Sequence, residues 1–244
     1  MTPDEAARRV LPLIDLTLLG DHDTMEEVEA LCDAATTAHG DVAAVCVWPR
    51  FVSTAVNRLG ASGIPVAGVA NFPTGSVDND VAIADAMAVV GAGGAEVDVV
   101  FPWRALLDGQ TGVGAELVRQ VREAMPESAL LKVILETGEI EDPEYIHIAA
   151  REAIDGGADF LKTSTGKTER SATPKAARQL FEIAREADRP IGVKISGGVR
   201  TVEDAAEYLS IADEVLGPDY VDSSTMRVGA SSLLAAVVHV LEET

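Results

Sequence analysis

Residues 158–200 read ADFLKTSTGKTERSATPKAARQLFEIAREADRPIGVKISGGVR. A short apolar run ends in Lys162, a loop of Thr, Ser and Gly leads to Lys167, and Thr173-Pro174 opens an amphipathic segment through residue 187. A second apolar run, residues 191–195, then carries Lys194. The pattern predicts strand, capped helix and strand, the unit from which parallel sheets are built.

The unit repeats in both directions. Upstream, strands are predicted over 65–70, 95–100 and 130–136, with helices over 77–90, 112–124 and, after a cap at Asp142, 143–154. Residues 42–47 (VAAVCV) are uninterruptedly apolar, as in a strand covered on both faces. Before them, Thr24 and Glu27 form a capping box for a helix, residues 11–15 read as a first strand, and Thr2-Pro3-Asp4-Glu5 opens a short N-terminal helix. Downstream, Thr201 caps a helix over 202–212, a strand is predicted over 219–222, and the last helix over 229–241. Eight strand–helix units in 244 residues predict an α/β protein, a (β/α)8 TIM barrel with a short N-terminal helix, occupying residues 1–244 as one domain. A doubly wound sheet shares this periodicity. It would place a Gly-x-Gly-x-x-Gly turn after an early strand, and none follows Asp15, Val47 or Ala70. The gathering of Gly, Lys, Asp and Ser at the ends of several strands favours the barrel, whose active site lies there.

Forty Asp and Glu against 19 Lys and Arg give a net charge of −21, which repels nucleic-acid backbones and excludes binding to them by bulk electrostatics. No apolar run approaches the length of a membrane span. Two cysteines, Cys32 and Cys46, and no charged-then-apolar leader set the expectation of a reducing, cytoplasmic location. Between Arg9 and Arg50 lie Asp21, Asp23, Glu26, Glu27, Glu29, Asp33 and Asp41 in addition to Asp15, without one Lys or Arg, so adaptation to molar salt is a further expectation. His22, His39, His147 and His239 show no metal-ligand spacing, and neither metal nor organic cofactor is expected.

Lysine is scarce here, with 5 against 14 arginines, so a lysine inside an apolar strand is informative. Alternation in residues 191–196 puts Gly192, Lys194 and Ser196 on one face, where small neighbours leave room for a long side chain. Lys162 ends the neighbouring strand. Two ammonium groups sharing one low-dielectric mouth disfavour each other's protonation, so one can be neutral and attack a carbonyl to form a Schiff base. The residues alone do not say which. Asp98 shares a face with Glu96 inside an apolar strand, either as a lysine's ion-pair partner or as a proton-transfer group acting through water; Asp15 presents the same choice, and Thr17 is a hydrogen-bond donor or the start of a turn. Thr165-Gly166-Lys167, Ser196-Gly197-Gly198 and Gly229-Ala230-Ser231-Ser232 are anion-binding candidates, the last expected to open the final helix. Cys46 lies at a strand end without a histidine to activate it, and Trp48 and Trp103 either wall the pocket or cover the rim.

The stretches around Asp15, Cys46, Asn71, Asp98, Lys162, Lys194 and Gly229 together resemble the deoxyribose-phosphate aldolase family, in its order and across nearly the whole chain. The resemblance implies reversible, cofactor-free cleavage of 2-deoxy-D-ribose 5-phosphate to acetaldehyde and D-glyceraldehyde 3-phosphate. It implies Lys162 as the Schiff-base lysine, Lys194 as the lysine that lowers its pKa, and Asp98 as the carboxylate that activates a water. Asp15 and Thr17 match residues near the sugar hydroxyls, and Cys46 a pocket cysteine dispensable for the chemistry. Lys167, Gly197, Gly198, Ser231 and Ser232 match phosphate contacts. A homodimer or larger homo-oligomer is also implied. The competing expectations are a Schiff-base aldolase with another donor and a sugar-phosphate binding protein without catalysis.

Overall fold

The computed structural model describes residues 1–243 and contains a closed barrel of eight parallel strands. The strands are β1 (Ile14–Leu18), β2 (Ala44–Val47), β3 (Val66–Ala70), β4 (Glu96–Val100), β5 (Leu130–Ile134), β6 (Phe160–Lys162), β7 (Gly192–Ser196) and β8 (Met226–Ala230). Each pairs with the next, and β8 closes on β1 through Ile14 opposite Val228. This is the (β/α)8 fold with an N-terminal helix, Pro3–Val10, held by the capping box of Thr2 and Glu5.

Helices cover the outside because outward residues of the strands are aliphatic. Val45, Val47, Val97, Val99, Leu131, Val133, Val193, Ile195 and Val228 are buried in the main core with apolar helix faces such as Leu117, Val118 and Val121. The predicted caps Thr24, Asp142, Thr173 and Thr201 each accept a hydrogen bond from their helix's first turn.

Two of the predicted strands are corrected. Residues 219–222 are not a strand: Pro218–Tyr220 is a 3-10 turn, and the eighth strand is Met226–Ala230. Arg227 and Gly229 face the barrel interior, so this strand lacks the continuous apolar run of its neighbours. Gly229 therefore belongs to β8 rather than to the last helix, which runs Leu233–Glu242 behind Ser232. The first strand begins later than predicted, because Leu11–Leu13 forms a 3-10 turn around Pro12. Asp15 is thus deep in β1 rather than at its end, and Thr17 is a strand residue. Three helices not predicted, Val52–Leu59, Trp103–Leu107 and Thr137–Ile140, follow β2, β4 and β5, and a small antiparallel ladder joins Thr36–Thr37 to Gly40–Asp41.

Candidate active site

Strand alternation sends seven charged side chains into the barrel: Asp15 from β1, Glu96 and Asp98 from β4, Lys132 from β5, Lys162 from β6, Lys194 from β7 and Arg227 from β8, all buried. Charges survive such burial only when paired and hydrogen-bonded, and these are. Asp98 is the hub: one carboxylate oxygen accepts from Lys132 at 2.9 Å, and the other from both Lys162 at 2.8 Å and Lys194 at 2.7 Å. Lys194 also contacts Asp15 at 2.5 Å, and Lys132 contacts Glu96 at 2.5 Å. Arg227 closes the network from below, with its guanidinium 2.7 Å from Asp15 and 3.2 Å from Glu96. Gly229 keeps space for this arrangement, since a Cβ there would lie 2.4 Å from the Ser196 hydroxyl and 3.0 Å from Cε of Lys194.

The lysines do not share one environment. Burial lowers the Lys132 and Lys194 ammonium pKa values, but Asp98 and Glu96 around Lys132, and Asp15 and Asp98 around Lys194, more than reverse this and leave both raised. Lys162 goes the other way: burial lowers it, Lys194 adds to the lowering, and its single carboxylate, Asp98, only partly opposes them. Burial raises the Asp98 carboxyl, yet Lys132, Lys162 and Lys194 together hold it well below the ordinary range; Asp15 is likewise lowered, by Lys194, Lys132 and Arg227 against its burial. Lys162 is therefore the lysine most readily made neutral, and Asp98 beside it stays a carboxylate.

Above the cluster, the same inward faces open into a cleft of about 480 Å³ lined by Thr17, Thr165, Gly166, Lys167, Ser196, Gly197, Gly198, Gly229, Ser231 and Ser232, together with Leu19, Gly20 and Arg200. Thr17, Ser196 and Gly229 lie two residues beyond Asp15, Lys194 and Arg227 on their strands. Lys167 and Arg200 bring positive charge to the rim, Lys167 reaching Asp21 at 3.0 Å. Gly197 and Gly198 have φ of +84° and +88°, a conformation that suits glycine. The Ser231 hydroxyl donates to the Thr17 carbonyl at 2.8 Å and ties β8 to β1. Opposite, Leu19, Cys46, Ala67 and Val69 form a separate inner apolar cluster against which Trp48 and Phe72 pack.

The structure thus brings Lys162, Lys194, Asp98 and Asp15 into one network and the predicted glycine, serine and threonine positions into the cleft above it. Cys46 is fully buried in the inner wall, its thiol pKa raised by burial. Trp48 stands on that wall, with its indole N–H donating to the Gly20 carbonyl, whereas Trp103 is buried in the outer core. The four histidines are exposed. Lys132, Glu96, Arg227 and Glu136 were missed as site residues. The inward parity of Glu96 with Asp98 points to Glu96, and the scarcity of lysine to Lys132. Arg227 was hidden by the misplaced eighth strand. Glu136 follows β5 in a left-handed conformation, φ +60°, and its buried carboxylate accepts from the Thr165 N–H at 3.1 Å and hydroxyl at 2.6 Å.

A (β/α)8 barrel with a lysine of lowered pKa, a permanent carboxylate beside it and a polar cleft above defines a class I aldolase, a carbon–carbon lyase working through an imine. The chain belongs to the DeoC/LacD aldolase family, whose profile it matches over residues 9–239. Its fold is similar to that of an apo protein from Toxoplasma gondii ME49 provisionally assigned as a deoxyribose-phosphate aldolase, at 29% identity and a TM-score of 0.89, covering 99% of this chain and 98% of that one. It is also similar to QR15, an aldolase, at 29% identity and a TM-score of 0.82, covering 96% of each chain. A tetrameric deoxyribose phosphate aldolase from Aeropyrum pernix matches at 27% identity and a TM-score of 0.75, over 99% of this chain and 92% of that one.

Proposed function

We propose that the protein is a deoxyribose-phosphate aldolase, cleaving 2-deoxy-D-ribose 5-phosphate to acetaldehyde and D-glyceraldehyde 3-phosphate and catalysing the reverse addition, with residues 1–244 as one catalytic domain. The observation that carries this reading is the unequal pairing of the three buried lysines: Lys132 and Lys194 each meet two or more carboxylates and are raised, whereas Lys162 meets Asp98, on an oxygen shared with Lys194, and is lowered by its burial.

The Lys162 amine attacks the aldehyde carbon of the open-chain sugar, and loss of water gives the protonated imine. A base removes the proton of the C3 hydroxyl, the C2–C3 bond breaks, and its electron pair flows toward the imine nitrogen, releasing glyceraldehyde 3-phosphate. The remaining enamine takes a proton at C2 from a water held by Asp98, and hydrolysis frees acetaldehyde and the Lys162 amine. Lys194, held between Asp15 and Asp98, disfavours charge on the free Lys162 amine, and Thr17, which lines the cleft, faces the sugar hydroxyls, with Asp15 buried beneath it as the partner of Lys194 and Arg227. The cleft is large enough for a five-carbon phosphate. Lys167, Gly197, Gly198, Ser231 and Ser232 receive the phosphate with Thr165 and Gly229, and the Lys167 ammonium exchanges Asp21 for the incoming dianion. The tetramer reported for the Aeropyrum pernix relative supports a homo-oligomer here too.

Borohydride reduction in the presence of acetaldehyde, followed by peptide mass mapping, tests the assignment: the label is expected on Lys162, and label on Lys194 instead reverses the two roles. Cleavage of 2-deoxyribose 5-phosphate is expected to survive EDTA. A panel of acetaldehyde, acetone and dihydroxyacetone separates this donor from others, and folded protein that turns over none of them is a binding protein.

A further inference from the structure

The buried network has four cationic side chains, Lys132, Lys162, Lys194 and Arg227, and three carboxylates, Asp15, Glu96 and Asp98. Counted at ordinary charges, these ion-paired groups hold one positive charge more than they can neutralise, and removing a single proton balances them; the buried Glu136 carboxylate makes no ion pair among the described residues and is held instead by Thr165 and Thr168. The contact pattern shows where that proton is least held. Lys132 reaches Asp98, Glu96 and, at 3.7 Å, Asp15; Lys194 reaches Asp15 and Asp98; Arg227 reaches Asp15 and Glu96. Among the described residues Lys162 forms an ion pair with Asp98 alone, on an oxygen it shares with Lys194. An arginine is always charged, so it cannot be the group that gives up the surplus proton.

We propose that Arg227 and Glu96, neither of which touches Lys162, are positioning residues for the aldol reaction: together they fix the proton count of the barrel interior so that the one surplus proton is surrendered at Lys162. The inference rests on the proposed role of Lys162 and extends it to the opposite end of the barrel. The guanidinium occupies carboxylate oxygens of Asp15 and Glu96 that would otherwise be available to the lysines, so Lys194 and Lys132 draw on Asp98 as well and leave Lys162 a minor share of it. Facing Lys162 are Asp98 from β4, Lys194 from β7, Cys46 from β2 and, beyond β5, Glu136; Lys132, Asp15, Glu96 and Arg227 complete the charges packed around it.

The two substitutions carry opposite signs. In Arg227→Met the interior holds three cations and three carboxylates, so a protonated Lys162 is no longer surplus, and its reactivity is expected to move to higher pH by about one unit or more. Glu96→Gln removes an anion and is expected to move it to lower pH. Arg227→Lys keeps the charge and is expected to stay near wild type, and the Arg227→Met/Glu96→Gln double variant, which removes one charge of each sign, to return toward it. The readout is the pH midpoint of reductive methylation at Lys162 by formaldehyde and cyanoborohydride, followed on the Lys162 peptide by mass spectrometry in variants shown to be folded by circular dichroism. Midpoints that move in opposite directions and cancel support the charge count. A folded Arg227→Met or Glu96→Gln protein whose midpoint stays at the wild-type value overturns it, as does a loss of cleavage with no shift. If Arg227→Met does not fold, Glu96→Gln decides. Acetaldehyde trapping by the wild-type protein is scored separately: its failure removes the aldol assignment while the formaldehyde titration still decides the proton count.

Discussion

At Lys162 the pH dependence has a defined sign. Only the neutral amine attacks a carbonyl, and burial together with Lys194 holds this lysine below an ordinary one, so imine formation is expected to rise with pH and level off below about 10.4, the value of a free lysine. Lys194→Met removes a cation that disfavours the Lys162 ammonium and is expected to shift that profile upward by about one unit or more, read as the pH dependence of acetaldehyde trapping. Asp98→Asn separates two roles of one carboxylate. Loss of its charge releases Lys162 from the carboxylate that does most to raise its pKa, so trapping persists and moves to lower pH, whereas in the proposed mechanism proton transfer at the acetaldehyde carbon loses its water-activating group and cleavage falls by about 10²–10⁴-fold. Parallel loss of trapping and cleavage in a folded Asp98→Asn protein would show that the carboxylate is needed to build the site rather than to run the chemistry.

The loop after β6 lines the cleft with Thr165, Gly166 and Lys167, and it is held from outside itself. Glu136, beyond the end of β5, accepts from the Thr165 N–H and hydroxyl and lies 3.4 Å from the Thr168 hydroxyl, while the Thr163 hydroxyl accepts from the Ser196 N–H at 2.9 Å. Glu136→Ala leaves buried Thr165 donors without an acceptor, costing about 1–3 kcal/mol for each such group. The expected result is a KM for the sugar phosphate raised several-fold, with a smaller change in kcat and a lower Tm; a kcat loss at unchanged KM would place Glu136 in the chemistry instead. This clamp was illegible in the sequence because the apolar run of β5 reads straight through to Glu136, and nothing local signals the left-handed turn. The strands and caps were legible where one physical preference acted alone: Thr173 and Thr201 cap helices because a hydroxyl meets free N–H groups, and residues 44–47 are uniformly apolar because both faces are covered. Met226–Ala230 was not legible because its inward face carries an arginine and a glycine whose meaning depends on Asp15, Glu96 and Lys194 across the barrel. For the same reason the resemblance reaches Lys162, Lys194, Asp98 and Asp15, but not Glu96, Lys132 and Arg227, which complete the network around them.

Over the whole molecule the charge is divided unequally between inside and outside. With four cations and three carboxylates in the barrel interior, 15 of the 19 basic residues remain to face 37 of the 40 acidic ones elsewhere. Exposed pairs such as Arg58 with Asp33 and Arg178 with Glu214 answer few of these, and surface pairs of this kind contribute about 0–1 kcal/mol each. The remaining carboxylates repel one another, and the folded chain, being more compact than the unfolded one, bears more of that repulsion. Raising salt shortens the screening length from about 10 Å at 0.1 M to about 3 Å at 1 M, which relieves the repulsion between neighbouring surface carboxylates but acts little on the buried network. Tm is therefore expected to climb as potassium chloride is raised from millimolar to molar, with the pH midpoint of Lys162 trapping nearly unchanged over the same range. A Tm that is flat or falls with salt would mean that the screened attractions match or outweigh the screened repulsions, and it would remove the case for adaptation to molar salt. A trapping midpoint that moves as steeply as Tm would mean that the interior charges respond to the surface field, so that the acidic exterior helps to set the protonation of Lys162.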